Sequence, residues 1–109
     1  MNTNEFNHSD RVAVTLDFTS CREVGALYDQ MREKMCWQDW YGENLDALWD
    51  ILTGLPYVGD DFLILRPGVY PDLSAFEGEY LASKVDGICA VFQDVQEEYG
   101  RISVTVQYV

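Results

Sequence analysis

The sequence predicts an α/β domain in which a three-stranded, mostly parallel sheet packs against about four helices. Apolar, β-branched segments at 11–18, 60–66 and 102–109 predict three strands. Apolar residues at helical spacing fill the intervals between them. Strands that alternate with helices favour parallel pairing through crossover connections. With 109 residues, 48% of them hydrophobic, the chain is long enough to bury a core without metals or disulfides.

Capping and breaking residues set the predicted limits of each element. Residues 1–10 are polar and predict a flexible N-terminal arm, which leaves 11–109 as a single domain. The continuous apolar run at 60–66 favours a central strand buried on both faces. The first predicted helix is 21–35, capped by Thr19 or Ser20, and the second is 44–55, capped by Asn44 and ended by Gly54 and Pro56. A short third helix begins at Asp72 within the turn-rich stretch 67–78. The fourth is 84–99, ended by Gly100.

The charge balance indicates what kind of partner the chain can bind. Seven Lys and Arg residues against 19 Asp and Glu residues give a formal net charge of -12. Such a chain is repelled by phosphate backbones and anionic lipid, so direct binding to nucleic acid or membrane is disfavoured. A basic protein partner is favoured instead, although acidity by itself equally serves solubility.

The cysteines and the N-terminal residues predict the compartment. Cys21, Cys36 and Cys89 are odd in number and far apart, which predicts reduced thiols rather than a zinc site or a disulfide framework. The first eleven residues contain no apolar signal-peptide core, and no apolar run is long enough to span a membrane. We therefore expect a cytoplasmic protein without a cofactor.

The second predicted helix carries the strongest functional signal. Its apolar residues cover an arc of about 160°, while Asp46 and Asp50 lie one turn apart on the opposite side. No Lys or Arg occurs between Lys34 and Arg66 to neutralise them. Aromatic residues beside an unpaired acidic face are typical of a binding hot spot, and here they are Trp37, Trp40, Tyr41 and Trp49. A solvated helix face is the alternative.

Catalytic interpretations of the same residues are poorly supported. Asp46 and Asp50 could hold a divalent cation in a hydrolase, but His8 in the polar arm is the chain's one histidine. A Cys–His nucleophile pair would also need His8. No Gly-rich phosphate loop, GxSxG or HExxH motif occurs. We expect a binding protein, not an enzyme.

The run Tyr41-Gly42-Glu43-Asn44-Leu45-Asp46-Ala47-Leu48-Trp49-Asp50, followed by Leu52-Thr53-Gly54, resembles the signature segment of the barstar family of bacterial ribonuclease inhibitors. The resemblance extends more loosely from about Val12 to the C-terminus. It departs at Leu55-Pro56, where the family has a Trp-containing continuation, and at an extra residue before Gly100. These departures bear on which target is bound more than on how it is bound.

The resemblance implies an intracellular inhibitor or immunity protein, monomeric when free, that plugs the basic active site of a small, barnase-like ribonuclease. Asp50 would be the main mimic of a substrate phosphate and Asp46 its neighbour. Asp94 would replace a contacting glutamate of the family. Further partner contacts implied by position are Trp40, Asn44, Leu45, Trp49, Thr53 and Gly54. Because a fold does not determine a function, an acidic regulatory or scaffolding module that binds a basic partner other than a nuclease is the alternative.

Overall fold

The computed structural model describes residues 12–35, 43–54 and 60–109. Three strands and three helices follow one another along this part of the chain, with a short 3-10 turn after the first strand. In chain order they are β1 (Ala13–Asp17), the 3-10 turn (Phe18–Ser20), α1 (Val24–Met35), α2 (Leu45–Leu52), β2 (Asp61–Arg66), α3 (Ala75–Tyr99) and β3 (Ser103–Tyr108).

The sheet has the order β1-β2-β3, and both pairs of strands are parallel. Asp61 at the start of β2 pairs with Ala13 on one side and with Ser103 on the other. Each connection therefore moves one strand further in the same direction across the sheet. Because such crossovers are right-handed, they place the helices on a common face of the sheet. The predicted parallel sheet is confirmed, with three described helices where about four were expected.

The central position of β2 is confirmed, but its burial on both faces is wrong. Phe62, Ile64 and Arg66 are buried, whereas the residues between them are half-buried. The three described helices cover one face, and side chains such as Thr15 and Thr105 are exposed on the other. An apolar run in a strand thus does not distinguish two covered faces from one. The core is formed from the helix-covered face by residues that include Leu16, Phe18, Leu27, Met31, Leu48, Leu52, Ile64, Val85, Ile88 and Phe92.

The first helix begins at Val24, three residues later than predicted. The Asp17 carboxylate accepts a hydrogen bond from the Thr19 backbone N–H at 3.0 Å and therefore caps the 3-10 turn. Gln30 of α1 reaches back to the same place: its amide donates to the Asp17 carbonyl at 2.7 Å and accepts from the Asp17 N–H. Thr19 and Ser20 are thus turn residues rather than helix caps.

The third helix is a single element of 25 residues, not a short helix at Asp72 followed by one from Lys84. Its start has the Ser-x-x-Glu sequence of a capping box: the Ser74 hydroxyl accepts from the Glu77 N–H at 3.2 Å and donates to the Glu77 carboxylate at 3.0 Å. The helix continues through Gly78 and Gly87. It ends as predicted at Gly100, whose φ of 64° is the left-handed conformation that glycine accommodates.

Arg66 brings a charge into the core at the carboxyl end of β2. Its side chain is 4% exposed and forms an ion pair with Asp86 of α3, while its guanidinium lies 4.8 Å from the centroid of the Tyr108 ring. Cys21 and Cys89 are buried free thiols, and burial raises the pKa of each. Cys36 and the arm 1–10 lie outside the described residues. Among the helices that the structure describes, none combines the length and apolarity needed to cross a membrane.

Candidate functional site

Helix α2 is short and capped at both ends by its own side chains. The Asn44 Oδ1 atom accepts a hydrogen bond from the Ala47 N–H at 2.8 Å, as predicted for this residue. At the other end the Thr53 hydroxyl donates to the Trp49 carbonyl at 2.8 Å. Eight residues at a rise of 1.5 Å make a helix about 12 Å long, so α2 presents a compact surface.

Helix α2 packs against α3 through side chains at both of its ends. Leu48 and Leu52 are fully buried between the two helices and the sheet. Near its N-terminus, the side chain of Leu45 lies against Gly87. One turn later the Trp49 and Tyr99 rings meet edge to face with their centroids 6.0 Å apart. The broad apolar arc that the sequence predicts is therefore only partly buried, because Leu45 stays 40% exposed and Trp49 is half-buried.

The opposite side of α2 presents Asp46 and Asp50 to solvent. No basic side chain in 12–35, 43–54 or 60–109 forms an ion pair with either carboxylate. Asp46 lies in the first turn, where the helix dipole favours a negative charge. Asp50, one turn further on, receives no such compensation. The two charges are thus available to a cation brought by a partner.

Two arginines lie near α2, and both are engaged with groups other than these carboxylates. Arg32 of α1 contacts Glu43, just before α2, at 3.2 Å and Asp29 at 2.7 Å. Arg101, just after α3, donates to the carbonyl oxygen of Thr53 at 3.5 Å. Both arginines therefore hold the ends of α2 in place and leave its acidic middle unneutralised.

A groove with a volume of about 330 Å³ opens where the N-terminal end of α2 meets α1 and α3. Tyr28 lines it from α1 and Lys84 from α3. Burial, and then the negative charge of Glu43, raise the pKa of Tyr28. The Lys84 ammonium lies 5.1 Å from the centroid of the Tyr80 ring, which also lines the groove. The groove connects α2 to the N-terminal half of α3.

The structure brings most of the predicted contact residues together on α2 and its ends. Asn44, Leu45, Asp46 and Asp50 are exposed there, and Trp49, Thr53 and Gly54 are half-buried. Asp94 is exposed on α3, between the points along that helix at which Leu45 and Trp49 make contact. Trp40 lies outside the described residues, together with Trp37 and Tyr41.

Sequence reasoning missed Arg101 and Tyr99. The Arg101 guanidinium stacks 5.9 Å from the centroid of the Tyr99 ring, and through Tyr99 it extends the aromatic contact of Trp49. A basic residue directly after a helix-ending glycine was the available signal, because Gly100 reverses the chain there. Arg101 nonetheless contacts Thr53, which lies 48 residues earlier in the chain. Sequence spacing does not predict a contact at that separation.

The chemistry of this surface is that of binding. It offers two unneutralised carboxylates, the half-buried Trp49 ring beside the exposed Tyr99 ring, and a groove. Within the part of the chain that the structure describes, no group of three or more His, Cys, Asp or Glu side chains is placed to hold a metal ion.

Comparison with known proteins identifies the family. Residues 11–109 match the family model described as "Barstar (barnase inhibitor)". The chain is also similar to the Bacillus subtilis (strain 168) protein named "Putative ribonuclease inhibitor YrdF", with 34% identity over 88 residues, which cover 78% of this chain and 86% of that protein. The chain therefore belongs to the barstar family.

Proposed function

We propose that this protein is an intracellular inhibitor of a small basic ribonuclease and blocks the enzyme by inserting α2 into its active site. The observation that carries the proposal is the state of Asp46 and Asp50, which are exposed on one side of a rigidly capped helix. The family and the name of the similar B. subtilis protein support the same role. In this proposal the protein acts as a cytoplasmic immunity protein, is a monomer when free and catalyses no reaction.

The two carboxylates would occupy the positions of substrate phosphates. A ribonuclease binds its substrate with cationic side chains, and a carboxylate forms charge-assisted hydrogen bonds with the same groups. Asp50 would be the main mimic and Asp46 its neighbour. Because α2 is capped at Asn44 and Thr53, the backbone that carries the two carboxylates is ordered before binding, and little backbone entropy is lost on association.

The residues around the two carboxylates would add contacts with the enzyme. Trp49, the ends of α2 at Leu45 and Gly54, and Asp94 on α3 would contact the enzyme around the carboxylates. The net charge of -12 would speed the approach of a basic enzyme, while it opposes direct binding to nucleic acid. Trp40, which lies outside the described residues, is a further contact that we propose from the family resemblance alone.

The decisive test replaces Asp50 by alanine. We expect Asp50→Ala to lower affinity for the ribonuclease by a factor of roughly 30 to several thousand, because truncating one member of a buried charge pair costs about 2–5 kcal/mol. Folding stability should change by no more than about 0.5 kcal/mol, since the residue is exposed. The assay is inhibition of RNA cleavage by a panel of small basic bacterial ribonucleases that includes barnase.

Glu33→Ala is the matched control. Glu33 is an exposed carboxylate on α1 outside the groove beside α2, so both variants lose one negative charge. Only Asp50→Ala should weaken inhibition strongly. If both variants weaken inhibition equally and only slightly, the acidic face of α2 is a solvated surface and not a binding site. Capture of a basic protein without nuclease activity would favour the scaffolding alternative.

A further inference from the structure

Three large apolar side chains form an exposed line that begins at the N-terminus of α2. Leu45 is 40% exposed, Tyr80 is 51% exposed and Phe76 is 79% exposed. Leu45 and Tyr80 line the groove between α2 and α3. Tyr80 and Phe76 line a second groove of about 210 Å³ that continues toward the N-terminus of α3. The line is therefore continuous with the surface that carries Asp46.

The position of this line follows from the length of α3. Phe76 and Tyr80 are four residues apart, and Gly87 is seven residues beyond Tyr80, so all three lie on one side of the helix. Helix α2 covers this side at Gly87 through Leu45. Because α2 has only eight residues, it leaves the side uncovered at Tyr80 and Phe76. The two aromatic rings thus extend the α2 surface rather than belong to the core.

Helix α2 is too small to form a specific interface by itself. A specific protein–protein interface buries about 800 Å² on each partner, from about 20–30 residues. A helix about 12 Å long, with one side buried in its own protein, supplies only part of that area. Exposed aromatic residues beside the acidic face are the side chains that interface centres favour.

The charges around the second groove suit a basic partner. Its charged lining consists of Glu23, Glu77 and Arg22. The Arg22 guanidinium is already paired with the Asp72 carboxylate at 2.6 Å, so the two glutamates give the rim a net negative charge. Phe76, which is 79% exposed, offers its aromatic face to an Arg or Lys side chain of the partner. The Tyr80 ring, in contrast, already has Lys84 of its own chain 5.1 Å from its centroid and would contribute apolar contact.

We propose that the docking surface for the ribonuclease extends from α2 across Tyr80 to Phe76, and that these two rings are aromatic anchors for the same basic enzyme. This inference rests on the proposed function and names a second region of contact for its partner. The carboxylates of α2 would bind the catalytic cleft, while Tyr80 and Phe76 would bind the enzyme surface beside it. Ribonucleases with the same catalytic residues but different surfaces beside the cleft would then bind with different affinities, and Tyr80 and Phe76 would cause the difference.

The test is the double variant Phe76→Gln/Tyr80→Gln. Glutamine keeps the high helix propensity that α3 needs, and both side chains are exposed, so the melting temperature should be retained. Val69→Gln is the control: Val69 is 69% exposed, lies in the loop after β2 and lines neither groove beside Tyr80. Binding is measured by calorimetry against barnase and the other ribonucleases that wild type inhibits.

We expect the double variant to bind at least about 10-fold more weakly than wild type, and Val69→Gln to bind like wild type. If Asp50→Ala loses affinity while the double variant stays within twofold of wild type, the extension is wrong and the proposed function stands. If wild type binds none of the ribonucleases, both are overturned. An equal loss in Val69→Gln would also overturn the extension, because it would show a nonspecific effect of surface apolarity.

Discussion

Leu45 of α2 and Gly87 of α3 lie so close together that a β-carbon at residue 87 would come within 3.0 Å of the Leu45 Cδ1 atom. A second glycine of the same helix, Gly78, is equally confined, but by backbone: a β-carbon there would lie 3.1 Å from the carbonyl oxygen of Tyr70. The first obstacle is the end of a flexible, 40% exposed side chain. The second is a main-chain atom that cannot rotate away.

Alanine substitutions at these two glycines should therefore act in opposite directions. Each gains about 0.5–1 kcal/mol from the helix preference of alanine over glycine. Gly87→Ala should keep most of that gain, because Leu45 can move into solvent. Gly78→Ala should instead lose up to about 2.5 kcal/mol, because overpacking against fixed backbone costs about 1–3 kcal/mol and offsets the helix-propensity gain. Urea denaturation measures both, and a change of the same sign in the two variants would contradict this account of α3.

Breaking the ion pair between Arg66 and Asp86 should be costly. Asp86→Ala leaves a guanidinium that is 4% exposed without its partner. Loss of one member of a buried pair costs about 3–5 kcal/mol, and we expect about 2–4 kcal/mol because the Asp86 end is open to solvent. Asp94→Ala, on the same helix and exposed, should change stability by no more than about 0.5 kcal/mol.

The double variant Arg66→Met/Asp86→Ala separates the buried charge from the lost contact. Removing both partners abolishes the uncompensated charge, so much of the stability lost in Asp86→Ala should return. Thermal denaturation at neutral pH is the measurement. A double variant that is less stable than Asp86→Ala would show that Arg66 stabilises the protein by packing alone.

Tyr70 links stability to alkaline pH. Its hydroxyl donates a hydrogen bond to the Phe18 carbonyl at 2.8 Å, and burial raises the pKa of Tyr70 to about 12. Because this pKa is raised from its ordinary value of 10.0, the stabilisation is complete below pH 10 and is lost as the pH rises through 12. Wild type should therefore lose stability over this range relative to Tyr70→Phe.

At pH 7 Tyr70→Phe should be less stable than wild type by about 1–3 kcal/mol, because the buried Phe18 carbonyl loses its donor. The difference between the two proteins should shrink from pH 10 to pH 12. Free energies of unfolding by urea at several pH values provide the comparison. A difference that stays constant over the range would mean that Tyr70 does not titrate as its surroundings require.

Local signals sufficed for the elements whose limits are set by neighbouring residues. Asn44 marked the start of α2, and Gly100 marked the end of α3. The long α3 was not predicted because the stretch 67–78, which ends at Gly78, was interpreted as turn-rich, although the predicted helix 84–99 already contained Gly87. The presence of the two glycines is explained by close approaches of Tyr70 and Leu45, and such tertiary contacts leave no local pattern. The Ser74–Glu77 capping box was a local signal and would have located the start of the helix.

The candidate site, too, was predictable only in part. Helical spacing alone places Asp46 and Asp50 on one exposed side. The contacts that hold the two ends of α2 join residues far apart in sequence, such as Arg101 and Thr53. They depend on how the chain turns after α3, which spacing does not encode. The exposed pair Phe76 and Tyr80 was not predicted, because Tyr80 lies between the turn-rich stretch 67–78 and the predicted helix 84–99, and the two residues were not placed on one helix.

Arg101 provides a test of how charge controls association with the ribonuclease. It lies at the C-terminal end of α2, where its cation opposes the negative field of Asp46 and Asp50. Arg101→Gln changes the formal net charge from -12 to -13. Folding stability should fall by no more than about 1 kcal/mol, the usual value of a cation at a helix C-terminus. Association at low salt should become faster, by roughly two- to threefold, because steering toward a basic enzyme strengthens.

Asp46→Asn changes the net charge in the opposite direction, from -12 to -11. Its association should be slower than that of wild type at low salt. The three association rates should converge as ionic strength rises from 0.01 M to 0.15 M, because the Debye length falls from about 30 Å to about 8 Å. Stopped-flow mixing with an inhibited ribonuclease measures these rates. Rates that are insensitive to salt, or that change in the same direction in both variants, would show that packing rather than the acidic face of α2 limits the encounter.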